Sequence, residues 1–494
     1  MSLGMRRLAF ILLLLVAVVT GPILLQRKSS GAGAGNSDDR LVVITPHTNT
    51  IRAEFGAAFA RHWKKQTGRT LYIDWRTPGG AADIRKVLDS AYAASAALGK
   101  QEAGIDVLFG GGTPEFLLQS SRERLEVLDV FASNPSWFRE EVIPKTFTGE
   151  RYYDEGRTWV GVCLFQLGIC YNPGVLEGLG VQPPERWEDL ANPAYAGQVA
   201  FADPTKSGSV ARVLEMIIQE QMQRVLRERG DNPVAREEGW QRSLKLLQKL
   251  AANTRYFTDS ANRVPYDVAQ GDAAAGVCID YYGRSFEEKL RSSRTGPRFR
   301  WVAPKGGGSV SVDPVAVLKG APHADIAQEF VRFCLSDEGQ LLWNLRPGEP
   351  GGPQHVALRR LPVRRDLYTP ENLQRFSDHD AMPFEGAADF VYREELTRGA
   401  LPAITATFRA MCMDPHEELR AAWLAMNRGG GGDADRAALV AFSDVSSLSY
   451  EHLMNEIVPL FTKKDTVAAG REMTRLSEIF RANYQRASNL AEQP

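Results

Sequence analysis

Short apolar runs alternate with helical spacings from the start of the folded part of the chain. Leu41-Val42-Val43-Ile44 is a β-branched run that ends at Thr45-Pro46, and Ile51, Phe55, Phe59 and Trp63 then recur every four residues. That pattern predicts a strand, a loop and an amphipathic helix. Gly68 stops the helix, Thr70 to Trp75 alternates like a second strand, and Gly79-Gly80 opens another helix through Ile84, Val87 and Leu88. Ile105 to Phe109 reads as a buried strand, and Gly110-Gly111-Gly112-Thr113 leads into a helix at Pro114-Glu115. Strands and helices alternating at these lengths predict a mostly parallel sheet covered on both faces, with the ligand crevice at the loops that follow the strand C termini.

The apolar run from Trp159 to Tyr171 has no polar alternation and predicts an interlobe strand. Beyond it, Val199 to Ala202 reads as a strand entering Asp203-Pro204-Thr205-Lys206-Ser207-Gly208-Ser209, where a helix with Val210, Val213, Leu214 and Ile217 starts. Helix and strand repeat from Val264 to Asp280, ending at Tyr281-Tyr282. Val310 to Leu318 is a further strand, followed by a helix with Ile326, Phe330, Val331 and Cys334. The expected class is therefore α/β in two lobes with hinge strands near 159–171 and 300–302. The expected division is 40–160 as the first part of lobe one, 161–290 as lobe two, 291–365 as the return to lobe one, and 366–494 as a C-terminal helical extension.

The N-terminus changes the picture of location. Arg6-Arg7 precede an uncharged, mostly apolar run from Leu8 to Leu25, closed by Arg27-Lys28. Residues 1–28 read as an export segment, long enough to be expected as a retained anchor rather than a cleaved peptide. Ser and Gly across 29–39 predict a flexible tether. The 59 basic and 60 acidic residues balance to a formal charge of −1, which gives no reason to expect nucleic acid and requires any charged ligand to be caught locally. Cys163, Cys170, Cys278, Cys334 and Cys412 are too scattered for a disulfide framework or a zinc motif, and Cys163 and Cys170 read as small core residues.

An ordered set of pieces resembles the ferric-iron-binding branch of the type 2 periplasmic solute-binding proteins. The pieces are Asn192-Pro193-x-Tyr195-x-Gly197, Asp203-Pro204, Ser207-Gly208, Asn262, Gly271-Asp272-Ala273-Ala274, Tyr281-Tyr282, Pro314 to Lys319 and Glu338-Gly339-Gln340. The resemblance covers roughly 40–365 and implies a two-lobed receptor of an ABC importer, with a permease as partner and Fe(III) plus a phosphate-like anion as cargo. It implies Tyr281 and Tyr282 as metal ligands from lobe two and His47, in the loop after the first strand, as a ligand from lobe one. A hard ferric cation suits such phenolate oxygens. It further implies Ser207, Gly208 and Ser209 as an anion cradle at a helix start, with Asn262 donating to the same anion. One departure stands out: the branch carries a carboxylate or amide ligand where this chain has Gly111 and Gly112. That keeps a second solute reading open, a phosphonate or other oxyanion or a small organic acid. Gly79-Gly80 is a candidate for a further cradle.

Enzyme readings find no address in the sequence, which lacks Gly-x-Ser-x-Gly, His-Glu-x-x-His and the phosphate-loop pattern. No catalytic residue and no catalytic cofactor is expected. A membrane-tethered sensor or a hydrolase built on the same fold is the reading of another class, because a fold does not fix a function.

Overall fold

The computed structural model describes residues 37–291, 298–385, 389–428 and 433–492. Its strands are, in chain order, β1 (Asp39–Ile44), β2 (Leu71–Arg76), β3 (Val107–Phe109), β4 (Thr146–Phe147), β5 (Glu150–Arg151), β6 (Val160–Phe165), β7 (Leu167–Tyr171), β8 (Val199–Ala202), β9 (Thr254–Thr258), β10 (Ala275–Ile279), β11 (Arg300–Val302), β12 (Ser311–Val317) and β13 (Leu361–Pro362). Two sheets carry the fold. The first has the order β13-β6-β12-β3-β1-β2 and the second β11-β7-β10-β8-β9, while β4 and β5 form a separate hairpin.

In the first sheet β1 pairs in parallel with β2 and β3, and in the second β8 pairs in parallel with β9 and β10. Helices Asn49–Thr67, Ala81–Ala96, Gly208–Arg229 and Arg263–Gln270 follow these strands, as strand-to-helix alternation requires. The chain changes sheets at Gln166, between β6 and β7, and changes back within 303–310, between β11 and β12. Both changes come later than the expected boundaries at 160 and 290. The apolar run 159–171 supplies one strand to each sheet, and strands buried on both faces carry no alternation that would mark the switch.

Each lobe has its own core. Phe55, Phe59, Phe109, Phe330, Phe333 and Trp343 are buried in the first, and Trp187, Phe201, Ile217 and Trp240 in the second. The C-terminal helices, expected as an appended extension, belong to the second core: Phe408, Trp423, Phe442, Phe480 and Tyr484 are buried in the same cluster. Polar groups fix them there as well. The Trp423 Nε1–H donates to Asn253 Oδ1 at 2.8 Å, the Trp240 Nε1–H to the Leu448 carbonyl at 2.8 Å, and the Tyr484 hydroxyl to the Met411 carbonyl at 3.0 Å.

The proposed anchor and most of the tether, 1–36, lie outside the described residues. Among those described, no helix is long and apolar enough to cross a membrane. All five cysteines are buried free thiols, and Cys163 and Cys170 lie in different sheets, on β6 and β7.

Candidate functional site

Strand direction assembles the cleft. In the second sheet Ile279, the last residue of β10, pairs with Leu167 beside the crossing at Gln166. The C-terminal ends of the parallel β8, β9 and β10 therefore face the lobe boundary, and so do the loops bearing Ser207 and Asn262 and the helix start bearing Tyr281. In the first sheet Phe109 pairs with Val315 of the antiparallel β12, while Ser311 of β12 pairs with Phe165 at the crossing. The loops after β1 and β3, with His47 and Gly110 to Gly112, thus face the same boundary.

One sequence-predicted residue, Tyr281, reaches across that boundary. The Tyr281 hydroxyl lies 3.2 Å from Thr48 Oγ1, so lobe two reaches the loop that carries His47. Tyr281 and Tyr282 sit in the first turn of helix Asp280–Arg291 rather than at a strand end, and their rings are 5.1 Å apart. Asp280 explains the helix start: its buried Oδ1 accepts the Tyr281 N–H at 2.8 Å, while its Oδ2 has no hydrogen-bond partner.

His47 is 5% exposed, edge-on to Phe109 at 4.6 Å, and its Nε2 has no hydrogen-bond partner. Burial lowers its pKa to about 4, reinforced by the Arg360 and Arg52 charges and only partly offset by Asp313, so the imidazole is neutral.

The glycine run after β3 has a physical reason. Gly110, Gly111 and Gly112 have φ of +78°, +112° and +81°, and a Cβ on Gly110 would stand 2.5 Å from His47 Nε2. The Gly111 and Gly112 N–H groups both donate to Asp313 Oδ1 at 2.9 Å. Asp313 lies on β12 where the pairing with β6 slips, next to Pro314, which cannot donate to the ladder. The first-lobe carboxylate that the sequence leaves out of the glycine loop thus comes from a strand two hundred residues away in sequence.

Asp313 in turn fixes Arg360. Arg360 Nη1 is 2.9 Å from Asp313 Oδ2, and the guanidinium lies over the Tyr281 ring at 5.0 Å. Burial alone would lower the guanidinium pKa, but Cys163, Asp313, Asp280 and Tyr281 raise it, so Arg360 stays charged. Burial would raise the Asp313 pKa, but Arg360, His47 and the two glycine N–H groups hold it below the usual range. Arg360 Nε and Arg52 Nε, both buried, have no hydrogen-bond partner. Neither arginine nor Asp313 is marked by a local motif, and nothing in the sequence sets Arg360 apart from the adjacent Arg359.

Ser207 is buried at the N-cap of helix Gly208–Arg229. Its Oγ accepts from the Val210 N–H at 3.4 Å and lies 3.2 Å from Ser209 Oγ, while Gly208 is exposed. Asn262 is exposed at the start of helix Arg263–Gln270 and makes no capping bond. At the candidate second cradle, a Cβ on Gly79 would lie 2.4 Å from Asp83 Oδ2, so a carboxylate stands where an anion would have to sit.

As ferric donors, Tyr281, Tyr282 and His47 come without a free carboxylate. Burial, and then the neighbouring Tyr281, raise the pKa of Tyr282, which opposes the phenolate such an ion needs. Among the described residues no group of three or more His, Cys, Asp or Glu could hold a metal.

Residues 105–359, just over half of the chain, match the family described as bacterial extracellular solute-binding protein. The chain belongs to this family. Such proteins bind small solutes outside the cytoplasmic membrane and work with an ABC-type permease, and that role comes with the membership. Over 322 residues the chain is 26% identical to an uncharacterized Haemophilus influenzae protein, covering 63% of this chain and 78% of that one. It is 23% identical over 269 residues to PgtC of Salmonella typhimurium, a phosphoglycerate transport regulatory protein, covering 54% of this chain and 58% of PgtC. A Bordetella parapertussis structure described as an extracellular solute-binding protein aligns with a TM-score of 0.51 at 19% identity, covering 74% of this chain and 97% of that one, a likeness of fold.

Proposed function

We propose that this solute-binding protein captures a small organic phosphate or like oxyanion in its interlobe cleft. The observation that carries the reading is the convergence of Arg360, Arg52 and His47, each with a buried, unpartnered ring or guanidinium nitrogen, beside Tyr281 from the opposite lobe. The two guanidinium Nε–H groups call for an acceptor, and the neutral His47 Nε2 for a hydrogen-bond partner. A guanidinium offers a phosphate a charge-assisted donor, and the Ser207–Ser209 helix start adds N–H groups and the positive end of a dipole. The name of PgtC points to the same ligand chemistry, a phosphorylated three-carbon acid. We place the receptor on the outer side of the membrane, exported by residues 1–28, with an ABC permease as its partner.

Ferric iron held with a phosphate-like anion is the second reading, favoured by the paired rings of Tyr281 and Tyr282. The name of PgtC also keeps a regulatory, sensing role in view.

One titration separates the cargoes. The protein without residues 1–36 is heated with 3-phosphoglycerate, fructose 6-phosphate, inorganic phosphate, and Fe(III) with and without phosphate. A cargo at a hundred times its dissociation constant stabilises by about 2.7 kcal/mol. The oxyanion reading expects a phosphate ester to do so in chelator-treated buffer, and expects Arg52→Gln to lose the shift. Stabilisation by Fe(III) alone, with a visible charge-transfer colour lost in Tyr281→Phe, Tyr282→Phe, would install iron instead.

A further inference from the structure

We infer that Arg359 of the first lobe and Glu288 of the second form a latch that biases the lobes toward closure, through a contact separate from the solute-binding groups. This goes beyond the solute reading and does not depend on which solute binds.

One face of helix Asp280–Arg291 is turned to the first lobe. Tyr281, Arg284 and Glu288 stand three and four residues apart, so they share that face. Each meets a first-lobe group. The Tyr281 hydroxyl lies 3.2 Å from Thr48 Oγ1, Arg284 Nη1 lies 3.9 Å from Asp378 Oδ1, and Glu288 Oε2 accepts from Arg359 Nη1 at 2.7 Å. Other charged contacts of the helix stay within the second lobe. Glu287 accepts from Arg300 at 2.5 Å, and the Arg284 guanidinium lies over the Trp301 ring at 5.6 Å, with Nη2 3.5 Å from Asp280 Oδ2.

The first lobe holds its half of the latch ready. Asn344, buried beside Trp343 of the first core, donates through Nδ2 to the Arg360 carbonyl at 2.8 Å and to Asp378 Oδ2 at 3.0 Å, and its Oδ1 accepts from the Asp378 N–H at 3.0 Å. Asp378 in turn accepts from Arg359, from Nε at 2.9 Å and from Nη2 at 2.5 Å. The guanidinium is thereby fixed with Nη1 presented to the other lobe. Arg359 has φ +56°, a left-handed conformation uncommon outside glycine. That step falls where two consecutive arginines part, Arg359 to Glu288 and Arg360 to Asp313 in the cleft.

Arg359 is buried and charged: burial would lower its pKa, but Asp378 and Glu288 raise it. When the lobes separate, Arg359 keeps Asp378 and gives up only Glu288, which is 54% exposed and returns readily to water. A pair with one half-exposed partner shifts an equilibrium by about two- to fivefold, enough to favour closure and little enough to permit release. Because solute held by both lobes follows the closing equilibrium, the latch tightens apparent affinity by the same factor. Salt reaches the exposed carboxylate and weakens the pair, so closure is salt-dependent.

The test uses the full chain carrying Leu98→Cys on the first lobe and Val234→Cys on the second, both positions exposed and the native thiols buried. Spin labels on these cysteines report the interlobe distance without added solute. At about 0.05 M sodium chloride, Glu288→Gln is expected to raise the ratio of longer to shorter distances about two- to fivefold, and Glu288→Lys, which sets a like charge against Arg359, to raise it further. Raising the salt to about 1 M is expected to lengthen the distances in the unaltered chain and to change Glu288→Gln much less. A purely structural role for Glu288 would not produce that difference in salt response. Low-salt distributions of both variants that superimpose on that of the unaltered chain would overturn the latch, and so would an equal response to salt with and without Glu288.

Discussion

At the scale of single residues, Asp313 and Arg360 hold each other in the cleft. Each is buried, and removing one partner leaves the other as an uncompensated charge, which costs about 3–5 kcal/mol. Asp313→Asn is therefore expected to lower the melting temperature markedly, and pairing it with Arg360→Met to recover part of the loss. A double-mutant cycle by denaturant unfolding checks this, and additive losses would mean that the pair is not coupled. His47 gives a pH signature. Its pKa in the fold, about 4, lies below the 6.5 of an unfolded histidine, so between these values the unfolded chain binds the proton and the folded one does not. Its contribution to stability is complete above pH 6.5 and is lost as pH falls through about 4, amounting to about 3 kcal/mol. His47→Gln should flatten that part of the stability profile in urea titrations across pH 4 to 7, and an unchanged slope would place the acid sensitivity elsewhere.

At the scale of elements, the start of helix Gly208–Arg229 does two jobs that can be told apart. Ser207 caps the helix, and losing such a cap costs about 1 kcal/mol of stability whatever binds in the cleft. Ser209 makes no capping bond in the fold, and its hydroxyl touches only Ser207 Oγ. Ser209→Ala should leave the melting temperature within about 0.5 kcal/mol of the original, a usual range for surface changes. On the oxyanion reading it should weaken binding roughly 10- to 100-fold, the worth of one hydrogen bond to a charged group. Calorimetry with inorganic phosphate and 3-phosphoglycerate reads both, and an unaltered affinity would reduce this turn to a helix cap.

At the scale of the whole molecule, the lobes are unequal because the C-terminal helices complete only the second. Ile404, Phe408, Trp423, Phe442, Phe480 and Tyr484 are buried against it, and each large apolar side chain contributes about 1.5–3 kcal/mol by leaving water. Truncation after residue 397 should expose the facing apolar surface of helix Pro233–Asn253, seen as dye binding and loss of cooperative melting, with a protease-resistant first lobe remaining. A truncated chain that melts cooperatively near the original temperature would show that the helices are dispensable.

What local pattern could determine, it did. Apolar runs and four-residue spacings report on neighbours within a turn or a strand, and they sufficed for the alternating strands and helices, the two lobes and the helix start at Ser207, whereas His47 and Tyr281 were singled out by the family resemblance. They did not reveal that the run 159–171 feeds two sheets, because burial on both faces erases alternation. Nor did they reveal that Gly111 and Gly112 turn their N–H groups to Asp313, that Arg52 and Arg360 converge beside His47, or that the C-terminal helices share a core with Trp240. Those pairings join positions far apart in the chain, and only the closure of the sheets and the packing of both lobes bring them within reach of a hydrogen bond or a charge.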